Sequence, residues 1–392
     1  MNIIALLAFT IVVGYVSAAI FRKTKIPDVI ILLLFGLLLN YTGFVSAGPF
    51  HSIAPILVPL TLLIVLLDSG LGMELGNVLK SFSRSILLGV FGMLFCMLAA
   101  TVVGVGLMGL DIKMSLLLGA IFGGTSSVTV LAILRGINIG DEVKSLLSLE
   151  SVFNDSLCIL VSVAILGLIV PAVGVGSPAL GIISAYVAGI VIGCIYGLAW
   201  LIVLNKFRGI QLGYLPTLAA AMLVYVGSEQ AFGAGTGAIA ILFFGLMLGN
   251  AESFSRRMKK RYTLAPKIKE FHSEITFFIR AFFFIYLGLV ASIQANYLIF
   301  GVALSIAFIV VRVFAVRLAM AHKIVMEREL NVMKIMGTKG LVAAALVQLP
   351  VSYGLPGADV IQNIAFVVIF STTLFAAVGV AVLSRVSDID YD

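Results

Sequence analysis

Four polar side chains stand inside one apolar run. They are Glu150, Ser151, Asn154 and Asp155, within Leu147-Ser-Leu-Glu-Ser-Val-Phe-Asn-Asp-Ser-Leu-Cys-Ile-Leu160. On a helix, residues four apart share a face. Glu150 then lies under Asn154, and Ser151 under Asp155. A carboxylate in a bilayer is expensive to hold and marks a functional site by default. Carboxylate oxygens suit hard cations such as sodium. A carboxyl removed from water also keeps its proton into the range where a cell can titrate it. One such group holds a proton or a metal cation but not comfortably both, and that competition is enough for exchange. Asp155 is the candidate carrier, with Ser151 one turn away as a hydroxyl ligand for sodium. The competing structural role is permanent capture of Asp155 in a salt bridge.

The composition places this run in a membrane. The 392 residues are 61% hydrophobic and only 11% charged, against about 25% charged in soluble domains. So few charges cannot cover the surface of a soluble protein of this length, so we expect a polytopic membrane protein. The net charge of +7 sits in loops, which argues against nucleic acid as a partner. Cys96, Cys158 and Cys194 all lie in apolar runs and fit neither a disulfide framework nor a metal spacing. The first 20 residues lack a basic leading region and read as a retained first span, not a cleaved signal. No soluble domain is expected at either end.

A span needs about 20 apolar residues. Thirteen stretches qualify, at roughly 2–20, 27–45, 53–72, 85–109, 114–134, 145–170, 177–204, 211–227, 232–249, 272–291, 297–319, 335–350 and 359–384. Basic residues gather in alternate loops: Arg22, Lys23 and Lys25, then Lys80 and Arg84, then Arg135 and Lys144, then Lys206 and Arg208. The loop after the ninth span carries Arg256, Arg257, Lys259, Lys260, Arg261, Lys267 and Lys269, and Lys323, Arg328 and Lys334 follow the eleventh. Lys113 is the exception. This is the positive-inside pattern. It puts the N-terminus outside and Ser387–Asp392 in the cytoplasm. The 256–269 run is read as topology plus contact with anionic membrane lipid, with regulation as the other possibility.

Two spans look interrupted. Gly123-Gly-Thr-Ser-Ser-Val128 and Met336-Gly-Thr-Lys-Gly340 each place a Gly-Thr pair inside an apolar helix. Glycine weakens a helix, and Ser and Thr hydroxyls compete for its backbone bonds. Interrupted spans at matching places in two halves point to a transporter site. The expected break residues are Gly124, Thr125, Ser126, Gly337 and Thr338. The expected organisation is a single transmembrane domain over 1–392. A first repeat covers about 1–171, a linker helix about 177–204, and a second, inverted repeat about 211–386. The bland alternative is that small residues merely let helices pack closely.

Other charges stand at depth: Arg280, Arg312 and Lys339, with Asp68 near the inner end of the third span. Two acids and three bases inside spans imply pairing. Glu150 with Lys339 is the expected structural pair. Arg312 is expected to face the interrupted helices, balancing their dipole ends or a carboxylate. Asn154 offers both donors and acceptors to the crossing. Arg280 either snorkels to the interface or lines a cation path. Asp68 either caps a helix or attracts and helps bind the cation. The Thr125 backbone is a source of carbonyl ligands.

At this point the residues resemble a known family. Glu150-Ser-Val-Phe-Asn-Asp155 resembles the sixth-helix motif of the monovalent cation:proton antiporters of the NhaP/NHE group. Leu67-Asp-Ser-Gly-Leu-Gly-Met-Glu74 resembles the family's third-helix end, and Phe282-Phe-Phe-Ile-Tyr-Leu-Gly-Leu289 its tenth helix. Arg312 matches a basic residue of its eleventh helix. Gly337-Thr-Lys-Gly340 resembles its twelfth-helix Gly-Leu-Arg-Gly, with lysine for arginine. The resemblance covers essentially the whole chain. It implies an all-α fold of about 13 transmembrane helices, with two inverted six-helix repeats and two broken crossing helices. It implies that Asp155 alternates between cation and proton, aided by Ser151, Thr125 and Asp68, with Glu150 and Lys339 bridged. It also implies a homodimer with elevator-like access.

One departure stands out. Where the family has Thr-Asp-Pro, this chain has Thr125-Ser126-Ser127, so the usual acid is missing. That leans toward the potassium-efflux branch. The Asn154-Asp155 pair, instead of two adjacent acids, implies one carrier carboxylate and electroneutral exchange. The expected activity is sodium (or lithium) for proton antiport across the cell membrane, serving pH and sodium homeostasis. Potassium:proton antiport is the alternative. A cation channel or a sodium-coupled organic anion symporter is more distant. No cofactor is expected beyond the transported ions, and no Gly-x-x-x-x-Gly-Lys-[Ser/Thr] run offers an ATP site. The chain is expected to be a transporter and not an enzyme.

Overall fold

The computed structural model describes residues 3–24, 26–43, 48–134, 137, 139–170, 178–206, 214–258, 266–321 and 325–386. Lys25, Arg135, Arg208, Lys259, Lys260, Arg261, Lys323 and Ser387–Asp392, all used to orient the chain, lie outside them. So do the side chains of Lys80, Arg256, Arg257 and Lys267.

The described residues are helical, with no strand. In order they form α1 (Ile3–Thr24), α2 (Asp28–Thr42), α3 (Gly48–Gly72), α4 (Leu75–Gly106), α5 (Ile112–Ile121), α6 (Ser127–Leu134), α7 (Asp141–Ile169), α8 (Pro178–Lys206) and α9 (Tyr214–Phe232). Then come α10 (Thr236–Gly249), α11 (Ala251–Met258), α12 (Pro266–Val290), α13 (Ala295–Ala319), α14 (Glu327–Ile335), α15 (Leu341–Leu346), α16 (Gln348–Ser352) and α17 (Ala358–Val386). Each of the stretches read as a span is helical in whole or in part. Among the described residues, seven helices are long and apolar enough to cross a membrane by length and composition, and five shorter apolar stretches accompany them. An all-α polytopic membrane fold suits such a chain, because each helix satisfies internally the backbone hydrogen bonds that lipid cannot supply. The two stretches expected to be interrupted are interrupted: α5 stops before α6, and α14 before α15.

By packing, the chain forms two units. One comprises Met1–Val58, Ser81–Cys158 and Phe278–Asp392, and the other Pro59–Lys80 and Ile159–Phe277. Each draws on both halves of the sequence.

The second unit is built around α10, whose residues Thr236–Leu248 are all buried. A helix apolar all round belongs in an interior. Gly189, Gly193 and Gly197 recur every fourth residue on α8 and admit α10 closely. A Cβ at Gly189 would stand 2.8 Å from the Ile239 side chain, and one at Gly197 2.8 Å from Met247. The opposite face of α8 exposes Ile183, Val187 and Ile195, as a lipid-facing surface should. Glu229, near the end of α9, accepts hydrogen bonds from the N–H groups of Gly235 (2.8 Å) and Gly237 (2.9 Å). It thereby satisfies donors that the start of α10 leaves unpaired. Asn250 closes the other end: its Oδ1 accepts from the Leu75 N–H at 2.8 Å and its amide donates to the Met73 carbonyl at 2.8 Å.

The first unit has a core of Leu88, Val130, Leu147, Val316, Met333 and Ala376, among others. These come from α4, α6, α7, α13, α14 and α17, so one helix beside each interruption, α6 and α14, contributes to the same apolar centre. Arg280 of α12 has a carboxylate partner at short range. It pairs with Asp28 at 2.8 Å, at the start of α2.

Candidate ion-binding site at two crossed interruptions

Two short non-helical segments, 122–126 and 336–340, pass each other inside the first unit. The Ser126 N–H donates to the Thr338 carbonyl at 2.7 Å. The Lys339 N–H donates to the Thr372 hydroxyl at 3.2 Å. Backbone freed by the breaks thus finds partners within the protein, as membrane depth demands. The approach is close enough to need glycine at 340. A Cβ there would collide with Ser126 Oγ and stand 3.0 Å from the Ser126 Cα.

Glu150 of α7 is fully buried and is the hub of the charges. Arg312 of α13 grips it with both terminal nitrogens, Nη1 to Oε1 at 2.7 Å and Nη2 to Oε2 at 3.0 Å. Thr125 Oγ1 donates to Glu150 Oε1 at 3.2 Å, and the Asn154 amide does so at 2.9 Å. The third guanidinium donor, Arg312 Nε, reaches the Met333 carbonyl at 3.1 Å, in the last turn of α14. Arg312 therefore meets both a carboxylate and the negative end of an interrupted helix.

The partner expected for Glu150 was Lys339, and the structure corrects this. Lys339 Nζ donates to the Gly124 carbonyl at 3.0 Å, approaches Cys96 Sγ at 3.7 Å, and lies 4.9 Å from the centre of the Phe308 ring. Geometry explains the exchange of roles. A planar guanidinium matches a carboxylate with two parallel bonds, which a point-like ammonium cannot do. The ammonium instead caps the carbonyl exposed where α5 ends and rests on an aromatic face.

Asp155, one helical turn from Ser151 on α7, is buried at 5% exposure. Among the described residues it makes no ion pair, so the salt-bridge alternative does not hold there. Its Oδ2 accepts a hydrogen bond from Ser127 Oγ at 2.8 Å. Ser127 is the first residue of α6 and had not been singled out. The available signal was the third place of the Thr-Ser-Ser triplet, but nothing in the spacing told which hydroxyl would face α7. Ser151 shares the expected face of α7, yet its hydroxyl hydrogen goes to the Ser148 carbonyl at 3.0 Å. Ser126 Oγ donates to Thr129 Oγ1 at 2.9 Å. Thr338 and Gly337 lie in the second interruption, with Thr338 buried.

Asp68 belongs to the second unit. It sits on α3 and accepts from Ser273 Oγ at 3.4 Å. Nearby, His272 is fully buried, with Nε2 3.0 Å from the Ile64 carbonyl and Nδ1 3.4 Å from the Tyr214 hydroxyl. No group of three or more His, Cys, Asp or Glu side chains with metal-binding geometry occurs among the described residues.

Comparison with known proteins agrees with this architecture. Residues 7–385 match the family described as "Sodium/hydrogen exchanger, transmembrane". A relative from Methanocaldococcus jannaschii, named probable Na(+)/H(+) antiporter 2, is 29% identical over 306 residues, covering 75% of this chain and 71% of the relative. A relative from Shewanella sp. (strain MR-4), named K(+)/H(+) antiporter NhaP2, is 26% identical over 389 residues, covering 96% of this chain and 66% of the relative. The chain thus spans about two thirds of the length of such relatives. In fold it is similar to the sodium proton antiporter MjNhaP1 of Methanocaldococcus jannaschii, with a TM-score of 0.82, 23% identity and 97% of each chain covered. The crossed interruptions, the charges buried around them and the match over nearly the whole chain lead to one conclusion: the chain belongs to the sodium/hydrogen exchanger family, whose members are membrane transporters and not enzymes.

Proposed function

We propose that this chain is a secondary antiporter exchanging sodium, or lithium, for protons across the cell membrane, with Asp155 as the alternating carrier. The observation that supports this most is the contrast between its two deep acids. Glu150 is neutralised by the two-point grip of Arg312, whereas Asp155 meets only a neutral hydroxyl among the described residues. A buried carboxylate without a basic partner is costly unless a proton or a cation joins it. Either occupant relieves the same cost, so binding of one displaces the other. Ser151 and the Thr125 backbone are proposed to help hold the cation. Asn154, Glu150, Arg312 and Lys339 are proposed to hold the crossing rigid around it. Asp68 enters only as an acid that attracts cations.

The remaining proposals follow from the family and the loops. The chain works as a homodimer in membrane lipid, with its N-terminus outside and its C-terminus in the cytoplasm. Two inverted repeats provide alternating access, and the exchange serves pH and sodium homeostasis. Potassium is the second candidate cation, for a specific reason: the acid usual at position 126 is a serine here, and several relatives are named K(+)/H(+) antiporters.

The test is proton release from proteoliposomes on addition of sodium, lithium or potassium. The wild type should release protons with sodium and lithium, and Asp155→Asn should not, at unchanged thermal stability. Persistent exchange in a folded Asp155→Asn protein would remove Asp155 from the mechanism. Release with potassium alone would replace sodium by the second candidate.

A further inference from the structure

We propose that Ser127, next to the position 126 at which this chain lacks the usual acid, is a direct cation ligand at Asp155. The assignment rests on the antiport proposal for its context and on separate geometry for its substance. Ser127 is 3% exposed and its Oγ lies 2.8 Å from Asp155 Oδ2. Calcium, a hard cation close to sodium in radius, sits about 2.3–2.6 Å from its oxygen ligands. Two oxygens at this separation touch one such ion together, at a ligand–ion–ligand angle of about 65–75° on those distances.

The chemistry of a hydroxyl fits each state of the carboxyl. It carries one hydrogen to donate and two lone pairs to accept. Toward an ionised Asp155 it donates. Toward a protonated Asp155 it accepts. Toward a bound cation it turns a lone pair. A second ionised carboxylate beside Asp155 would add a charge to be neutralised, whereas the hydroxyl adds an oxygen and no charge.

The neighbouring hydroxyls are directed elsewhere. Thr125 donates to Glu150, Ser126 to Thr129, and Ser151 to the Ser148 carbonyl. Ser127 is the hydroxyl aimed at Asp155 among the described residues. The loss of one close oxygen should tell most on the smallest ions, because Coulomb attraction grows as separation falls.

Two readouts on the purified full chain test the assignment: ion-dependent proton flux in proteoliposomes, and direct binding of sodium, lithium and potassium by calorimetry. Ser127→Ala should raise Kd and KM for sodium and lithium about tenfold, as expected for one contact to a charged group. The rise for potassium should be smaller. Ser127→Thr, which keeps the hydroxyl, should restore the wild-type Kd. If the alanine variant does not fold, Ser127→Cys replaces it in the same comparison, with a soft sulfur in place of the oxygen. Unchanged Kd and KM on removing the oxygen, or a rise that threonine does not reverse, would overturn the assignment. A wild type that binds cations without exchanging them would overturn antiport alone and leave Ser127 to be judged by Kd. A wild type that binds none would overturn both.

Discussion

Arg312 and Glu150 meet through two parallel bonds, 2.7 and 3.0 Å long, with the guanidinium 4% exposed and the carboxylate fully buried. The pair joins α13 to α7 and, through Arg312 Nε, to the end of α14. Removing either member leaves the other buried and uncompensated, at about 3–5 kcal/mol. Glu150→Ala and Arg312→Ala should each lower Tm sharply in detergent. Glu150→Gln with Arg312→Met, which removes both charges, should lower it less than the two single changes added together. Strict additivity would show that the two side chains do not act as a unit.

Lys339 should behave differently because it holds no carboxylate among the described residues. Its ammonium bonds the Gly124 carbonyl and lies over Phe308. Lys339→Met keeps much of the volume and removes about 1.5–3 kcal/mol of charge-assisted bonding. The loss of Tm should therefore be smaller than for Arg312→Ala. A larger loss would mean that Lys339, not Arg312, carries the balance of Glu150. Glu150 titrated against each basic variant in a double-mutant cycle gives the same decision independently, with strong coupling to Arg312 and weak coupling to Lys339.

Much of this was legible in the sequence, and what was not has a physical cause. Apolar runs announce themselves because lipid tolerates little else, and a carboxylate within one is conspicuous for the same reason. Gly123-Gly-Thr and Gly337-Thr marked the interruptions because glycine and threonine weaken helices by local chemistry. Partner choice is different: it is set by which side chains tertiary packing brings together. Lys339 and Arg312 are both bases inside spans, and only the packing of α13 on α7 decides that the guanidinium reaches Glu150. Ser127 was hidden likewise, since the orientation of α6 against α7 is not written in either helix alone. Arg280 was undecided between two readings because Asp28 lies 252 residues away in the chain. Glu229 passed unnoticed because its work is done on backbone N–H groups, which have no signature in sequence.

The charge count at the crossing makes a prediction about voltage. Glu150 is neutralised by Arg312, and the residue beside Asp155 is a neutral asparagine, whose amide is committed to Glu150. One carboxylate is then left to change its occupant, and it carries either one proton or one monovalent cation. In both loaded states the site has the same net charge, so the loaded carrier feels the membrane field equally in either direction. A full charge moved across the bilayer would be worth about 2.3 kcal/mol per 100 mV, enough to alter rates severalfold and to be seen readily. Proteoliposomes held at different potassium-valinomycin potentials should therefore exchange sodium for protons at the same rate. A rate that rises or falls steadily with potential would show that a second titrating group takes part. Lys339 would then be the first residue to examine, since it is the buried base at the crossing that pairs with no acid among the described residues.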